Sequence, residues 1–297
     1  MEAENSRVIA ISGASGFVGV HLTRALQHEG WRVVALSRQD FTGSATVLAE
    51  RLQGAGGVIN LAGATILGRW TPAYKKTLVE SRIGVTRRLV EAMAAMPVPE
   101  RPELFLSTSA VGYYAAGRCH TEENHIPADD FLGHLTRDWE REAWGAKALG
   151  IRTIVFRLGV VLGSDGGALK QMLPPFRLGL GGTIGSGAQA FPWIHLDDLV
   201  TAYLAAMANP TWEGAYNLTA PEPTTNAGLT RALGAALSRP TCFSVPEFIL
   251  RLRFGEGASV LTHGQEVIPK RLLEAGFQFT YPTIDQAVRQ CIGAVTK

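Results

Sequence analysis

An apolar run, Val8-Ile-Ala-Ile-Ser12, leads directly into Gly13-Ala14-Ser15-Gly16-Phe17-Val18-Gly19, and a helical pattern then continues to about Glu29. This order constrains the fold more than any other feature of the chain. A strand that ends in a glycine turn and feeds a helix presents the first N–H groups of that helix, and the positive end of its dipole, to an anion. Gly13 permits the tight turn, Gly16 lets backbone approach a pyrophosphate, and Gly19 allows close packing of helix on strand. Together with Ser15, Phe17 and Val18, these glycines are the expected diphosphate cradle.

The same alternation continues for about 160 residues. Apolar runs at Val33–Ser37, Val58–Ala62, Leu104–Ser109 and Thr153–Leu158 alternate with helical patterns. One of these starts at Thr71 and Pro72 and stops at Pro97, and another covers about Leu132–Leu149. Strands that are apolar throughout need helices on both faces, which predicts a doubly wound parallel sheet of Rossmann type. Past Gly163 the texture changes to glycine-dense segments, Ser164-Asp-Gly-Gly and Leu178 through Gly187. The expected division is a nucleotide-binding domain at 1–163 and a smaller, irregular substrate domain at 164–297, with a cleft between them. Within the second part, helices are expected at Leu196–Ala208 and Asn226–Leu237 and a strand at Ala215–Leu218, and the stretch 196–219 is expected to return to the first domain.

Charge and composition narrow the partner. With 28 basic and 26 acidic residues, the chain is 18% charged and carries a net +2, and it has no basic run. That pattern supplies no electrostatic footprint for nucleic acid or for a membrane surface, so the expected partner is a small molecule; the oligomeric state stays open. Cys119, Cys242 and Cys291 lack paired spacing, the N-terminal Met1-Glu-Ala-Glu-Asn is acidic where a secretory signal would be basic, and no apolar stretch reaches membrane-spanning length. These features predict a soluble protein of the reducing cytoplasm.

At the end of the second strand stand Ser37 and Arg38, where an acid would favour NAD, and the first carboxylate, Asp40, comes late in the spacing. A hydroxyl and a guanidinium suit a 2′-phosphate, which makes NADP the expected cofactor. With Asn60-Leu-Ala-Gly63, Ser107-Thr-Ser109 and Trp193-Ile-His195-Leu-Asp-Asp198 following in order, the chain resembles the extended short-chain dehydrogenase/reductases, the NAD(P)-dependent epimerase/dehydratase family, over nearly its full length. Phe191-Pro-Trp-Ile-His, Arg157 through Gly163 and Val267 through Phe277 are similar to an atypical epimerase-like subfamily, mostly of unassigned activity and sometimes labelled cell-division inhibitor.

The resemblance implies that Leu61, Ala62 and Gly63 line the adenine and ribose side of the cofactor, with Val161 also in contact. Arg82 stands where the family usually has Asn, and would face the phosphates. It also implies a catalytic Ser at Ser109, with a Tyr-x-x-x-Lys pair at positions 132 and 136. This chain has Leu132 and Thr136 there, and no tyrosine lies between Tyr114 and Tyr203. Tyr113 or Tyr114 is left as the stand-in acid/base, alongside a packing role for the same rings. His195 and Asp198 are expected to be structural, the Gly179–Gly187 loop, Gln189 and Trp193 to shape the substrate pocket, and no histidine or cysteine spacing suggests a metal. Two readings follow: an NADP(H)-dependent oxidoreductase or epimerase-like enzyme on a small carbonyl or hydroxyl compound, or a non-catalytic NADP-binding sensor or scaffold.

Overall fold

The computed structural model describes residues 7–295, so the reading of Met1–Asn5 falls outside the described residues. Its centre is a six-stranded parallel sheet of β1 (Val8–Ser12), β2 (Arg32–Leu36), β3 (Gly57–Asn60), β4 (Leu104–Ala110), β5 (Arg152–Leu158) and β6 (Gly214–Leu218), in the spatial order β6-β5-β4-β3-β1-β2. Alternate residues of each strand feed opposite faces. Ile9, Ile11, Ile59, Leu106, Ile154 and Phe156 pack under α1 (Phe17–His28) and a helix at Leu196–Ala208. Ala10, Val58, Phe105 and Val155 pack under helices on the other face, including α2 (Ala45–Leu52). Burial on both sides is the reason that the strands read as continuous apolar runs.

The expected long helix is divided. Thr71 caps α3 (Pro72–Val79) by accepting the Tyr74 N–H at 3.2 Å, one π-helical turn spans Glu80–Gly84, and α4 (Val85–Ala95) completes the element. A π turn shifts the register of side chains and recurs at functional sites. The next helix, α5 (Phe131–Trp144), is capped by Asp130, whose carboxylate accepts the Gly133 N–H at 2.8 Å.

Periodicity gives no warning of α6 (Gly167–Arg177), because Pro174 and Pro175 stand inside it. The helix forms nonetheless because Leu169, Leu173 and Phe176 bury one face against α8 (Asn226–Leu237), which follows α7, the Leu196–Ala208 helix, and against a helix at Ile284–Val295. This second core lies apart from the sheet cores. The C-terminal segment, expected to be irregular, contains short helices at Glu247–Phe254, Ser259–Thr262 and Lys270–Glu274 before that last one. It is fastened to the sheet by α7: the Asp198 carboxylate accepts the N–H groups of Thr280 and Tyr281 at 2.7 and 3.0 Å, and His195 meets Gln290 at 2.9 Å.

The glycine turn is tightly packed on its protein side. A Cβ at Gly19 would lie 2.2 Å from the Gly13 carbonyl oxygen and 2.7 Å from Ala14 Cα, both backbone atoms. Gly19→Ala is therefore expected to destabilise the protein by about 1–3 kcal/mol, read as a lowered urea midpoint at unchanged slope. An unshifted midpoint would show that helix and turn can separate freely.

Candidate functional site

The site is assembled at the carboxyl ends of β1–β5. Gly13 has φ +74°, and a Cβ on it would sit 2.8 Å from the Leu61 carbonyl carbon and oxygen. The loop after β3 therefore lies directly on the turn. A buried chain of hydrogen bonds holds it there: Ser12 Oγ donates to Asn60 Oδ1 at 2.6 Å, and Asn60 Nδ2 and the Trp139 indole N–H both donate to Thr86 Oγ1, at 2.7 and 2.8 Å. Asn60 Oδ1 also accepts the Ala62 N–H at 3.3 Å, which sets the path of Leu61, Ala62 and Gly63.

Above this loop, α1 begins at Phe17 with Gly16 as its cap, no side chain bonding its first turn and no acid within it. Ser15 and Gly16 are exposed, and the first-turn N–H groups of Phe17, Val18 and Gly19 have no intrahelical acceptor. A Cβ at Gly16 would touch only the Gly13 oxygen, at 3.2 Å. Beside it the Phe17 ring fills a hollow in the next glycine segment, where a Cβ at Gly163, Gly166 or Gly167 would come within 2.4–2.8 Å of the ring. Val161 lies in that seam, paired with Ile194 across two short strands, Val160–Leu162 and Trp193–His195. The residues present thus fit a nucleotide diphosphate, with donors, a positive helix end and open space at one place.

The end of β2 holds a contact that spacing did not foretell. A short turn at Gln39–Phe41 brings Asp40 back, so that its carboxylate accepts the Ser37 N–H at 2.6 Å, Ser37 Oγ at 2.8 Å and Arg51 Nε at 3.0 Å. Burial opposes ionisation of Asp40, but these bonds and the Arg51 charge hold its carboxyl below the ordinary range. Ser37 has spent its hydroxyl proton, while Arg38 is exposed and has no ion-pair partner among the described residues.

Ser109 and Tyr114 are both buried. Ser109 is 1% exposed, and its hydroxyl donates to Glu140 Oε1 at 2.7 Å. Arg157 grips Glu140 with two bonds of 2.7 Å and donates through Nη1 to the Tyr114 hydroxyl at 2.8 Å, which in turn donates to Asn217 Oδ1 at 2.6 Å. Burial pushes the Tyr114 pKa up to about 12 against the opposing pull of Arg157. Tyr113 covers the Arg157 guanidinium at 3.7 Å. Leu132 and Thr136 pack near Gly112, and the Thr136 hydroxyl is returned to its own helix at Leu132 O, 2.8 Å away. Sequence reasoning missed that Glu140 and Arg157 form the centre of this group; Arg157, a charge inside the apolar run Thr153–Leu158, was the available signal.

Arg82, on the π turn, donates through Nη2 to the Ala64 carbonyl at 2.9 Å, lies alongside Gly63 and rests 5.4 Å from the Trp139 ring centroid. The C-terminal segment forms the outer wall: Gln265 Nε2 donates to Val111 O at 2.6 Å, Gly117 N to Gly264 O at 2.9 Å, and Gln189 Nε2 to Leu261 O at 3.2 Å. An open cleft of about 550 Å³ beside it is bordered by Arg118, Cys119, Gln189, His263 and Glu266. Trp193, expected in the pocket wall, is 1% exposed, with its indole N–H unpartnered.

Comparisons with known proteins agree with this architecture. The model of the NAD dependent epimerase/dehydratase family matches residues 9–219, and a domain of unknown function, DUF1731, matches 245–291. Epimerase family protein SDR39U1 homolog, chloroplastic, of Arabidopsis thaliana is 39% identical over 97% of this chain and 87% of its own. Epimerase family protein YfhF of Bacillus subtilis is 35% identical over 96% of this chain and 97% of its own. Among solved structures, human epimerase family protein SDR39U1 (isoform 2) with NADPH superposes at a TM-score of 0.88 with 35% identity, covering 96% of this chain and 99% of that one. UDP-glucuronic acid 4-epimerase of Bacillus cereus shares the fold, with a TM-score of 0.79 at 17% identity over 97% of this chain and 99% of its own. With that family's model matching residues 9–219 and relatives of 35–39% identity aligned over nearly the whole chain, the chain belongs to the NAD dependent epimerase/dehydratase family.

Proposed function

We propose that the chain binds NADPH and acts as an oxidoreductase or epimerase-like enzyme on a small carbonyl or hydroxyl compound, in the cleft between residues 1–163 and 164–297. The observation that carries this reading is the uncapped start of α1 over an open Gly16, against a β3 loop held by Asn60. Human SDR39U1, crystallised with NADPH, supports the choice of nucleotide. In this reading the first-turn N–H groups of α1 hold the diphosphate, Leu61, Ala62, Gly63 and Val161 flank the ribose and ring, and Arg38 takes the 2′-phosphate. Ser37, bound to Asp40, positions the end of β2 instead of donating to the ligand. When bound, the cofactor supplies or accepts hydride.

Ser109 and Tyr114, expected from the sequence as catalytic, are better supported as positioning residues, because Glu140, Arg157 and Asn217 already engage both hydroxyls. That engagement, together with Leu132 and Thr136 in place of an acid/base pair, favours the second reading, a cofactor-loaded sensor or scaffold. Free thiols at Cys119, Cys242 and Cys291 are in keeping with a reducing compartment, for which we propose the cytoplasm. Among the described residues, no helix is long and apolar enough to cross a membrane.

Fluorescence titration tests the cofactor reading. NADPH should bind more tightly than NADH, and Arg38→Ala should weaken NADPH about tenfold or more while changing NADH little, since a charge-assisted phosphate contact is worth roughly 1.5–3 kcal/mol. Equal affinities of the unmodified protein for both nucleotides would remove the assignment of Arg38.

Gly16→Val should leave the circular dichroism spectrum intact and abolish NADPH binding, because Gly16 has an extended backbone that any residue adopts and a side chain there projects into the diphosphate space. Normal binding by this variant would mean that the turn has no ligand.

Arg157→Met strands Glu140 in the interior and should cost about 3–5 kcal/mol in denaturant unfolding, whereas Ser109→Ala should cost about 1 kcal/mol and leave NADPH affinity unchanged. In a screen of carbonyl compounds and nucleotide sugars, NADPH consumption above background marks the enzyme; tight binding without any consumption marks the sensor.

A further inference from the structure

Arg38 and Arg82 both lie near the proposed nucleotide site with no carboxylate partner among the described residues, and the cofactor reading uses only the first. Arg38 stands at the end of β2. The other is Arg82, half-buried on the π turn at Glu80–Gly84. Among the described residues its acceptors are the Ala64 carbonyl at 2.9 Å and, at the limit of 3.5 Å, Ser81 Oγ, and no carboxylate pairs with it. Burial pulls its pKa down to about 10, still well above neutrality, so the charge persists. A guanidinium offers five N–H donors, and here one good bond uses one of them. Nε has no hydrogen-bond partner among the described residues and is not fully enclosed, so at least one donor edge of the group stays open to a ligand.

Position selects the ligand. Along the sheet order β4-β3-β1-β2, Arg38 is at the β2 end and the diphosphate cradle at β1, while Arg82 lies past the β3 loop, against Gly63 and the Trp139 ring of α5. The reading above assigns the nucleotide's phosphates to β1 and β2. In that reading the part of the cofactor that extends past the diphosphate toward α5 is its nicotinamide and ribose, which carry no anion. Gly63 gives the guanidinium its room, since a Cβ there would press on Cζ at 3.3 Å. The bond to Ala64 holds one end of the planar group and leaves the rest of the fork to an oxyanion, the shape that guanidinium recognises best.

We propose that Arg82 receives an oxyanion carried by the substrate, a carboxylate or phosphoryl group seated beside the nicotinamide, so that the protein acts on small acidic compounds. This rests on the NADPH reading above and deepens it by naming the substrate class. The selectivity comes from a side chain on the π turn, held by the Ala64 carbonyl beyond the β3 loop.

The test uses full-length protein saturated with NADPH, with bound-NADPH fluorescence as the readout. Malonate and inorganic phosphate are titrated as probes, and malonamide serves as the uncharged counterpart of malonate. At least one anion should perturb the signal saturably and malonamide should not; the anion that does so identifies carboxylate or phosphoryl as the group received. Arg82→Gln should weaken that response about tenfold to a hundredfold while NADPH affinity stays within threefold, and Arg82→Lys, which keeps the charge without the fork, should fall between. The inference is overturned if neither anion is felt, if malonamide matches malonate, or if Arg82→Gln weakens NADPH itself tenfold, which would return Arg82 to the cofactor. Absence of NADPH binding by the unmodified protein overturns both readings, whereas NADPH binding without an anion response overturns this one alone.

Discussion

The buried guanidinium of Arg157 is the contact through which the halves of the site are held in register. Its two bonds to Glu140 tie β5 to α5, and Glu140 brings in Ser109 from β4. Its third bond reaches Tyr114, and from there Asn217 continues to β6 and, through Nδ2, to the Ile268 carbonyl at 3.0 Å in the C-terminal segment. A buried ion pair of this kind adds little net stability over apolar packing, but it is very costly to break on one side. Its effect is therefore on specificity: five separated stretches of chain can coexist in one arrangement because only that arrangement satisfies every member of the network.

The proposed ligand contacts have a different character. Where the nucleotide is expected, the chain offers backbone N–H groups, glycines and exposed or open cations, with little polar side chain committed in advance. Where a family comparison would look for proton transfer, the hydroxyls are already engaged. These two facts together make the chain well prepared to hold a nucleotide and sparing in groups that could exchange a proton with a substrate. A charged group that stabilises an anion without transferring a proton, as a guanidinium does, is compatible with that economy.

The C-terminal segment completes the cleft instead of forming an appendage. Glu266 and Val267 pair with Cys119 and His120, Lys75 bonds Glu256 at 2.6 Å, and a Cβ at Gly257 would lie 2.2 Å from the Gly68 oxygen. The segment therefore crosses from the loop after β3 to the loop after β4. Any ligand seated against α5 meets a wall made from distant parts of the sequence.

Local rules made much of this legible. The strand-turn-helix order at Val8–His28, the Thr71 cap with Pro72, α7, α8 and the apolar strands depend on neighbours within a few residues, and their boundaries lie within one or two residues of expectation for the strands and the caps. So does the absence of tyrosine and lysine at Leu132 and Thr136. Tertiary packing decided the rest. Helix α6 runs through two prolines because a second core pays for it, the π turn appears in a segment whose pattern reads as continuous helix, and Asp40 reaches Ser37 only once a turn has folded back. Ser109 and Tyr114 look available as letters, yet Glu140, Arg157 and Asn217, from 31 to 103 positions away along the chain, consume their hydroxyls. Hydrogen-bond satisfaction is a property of all the groups that meet in space, and a linear pattern of residue types does not specify which of them will meet.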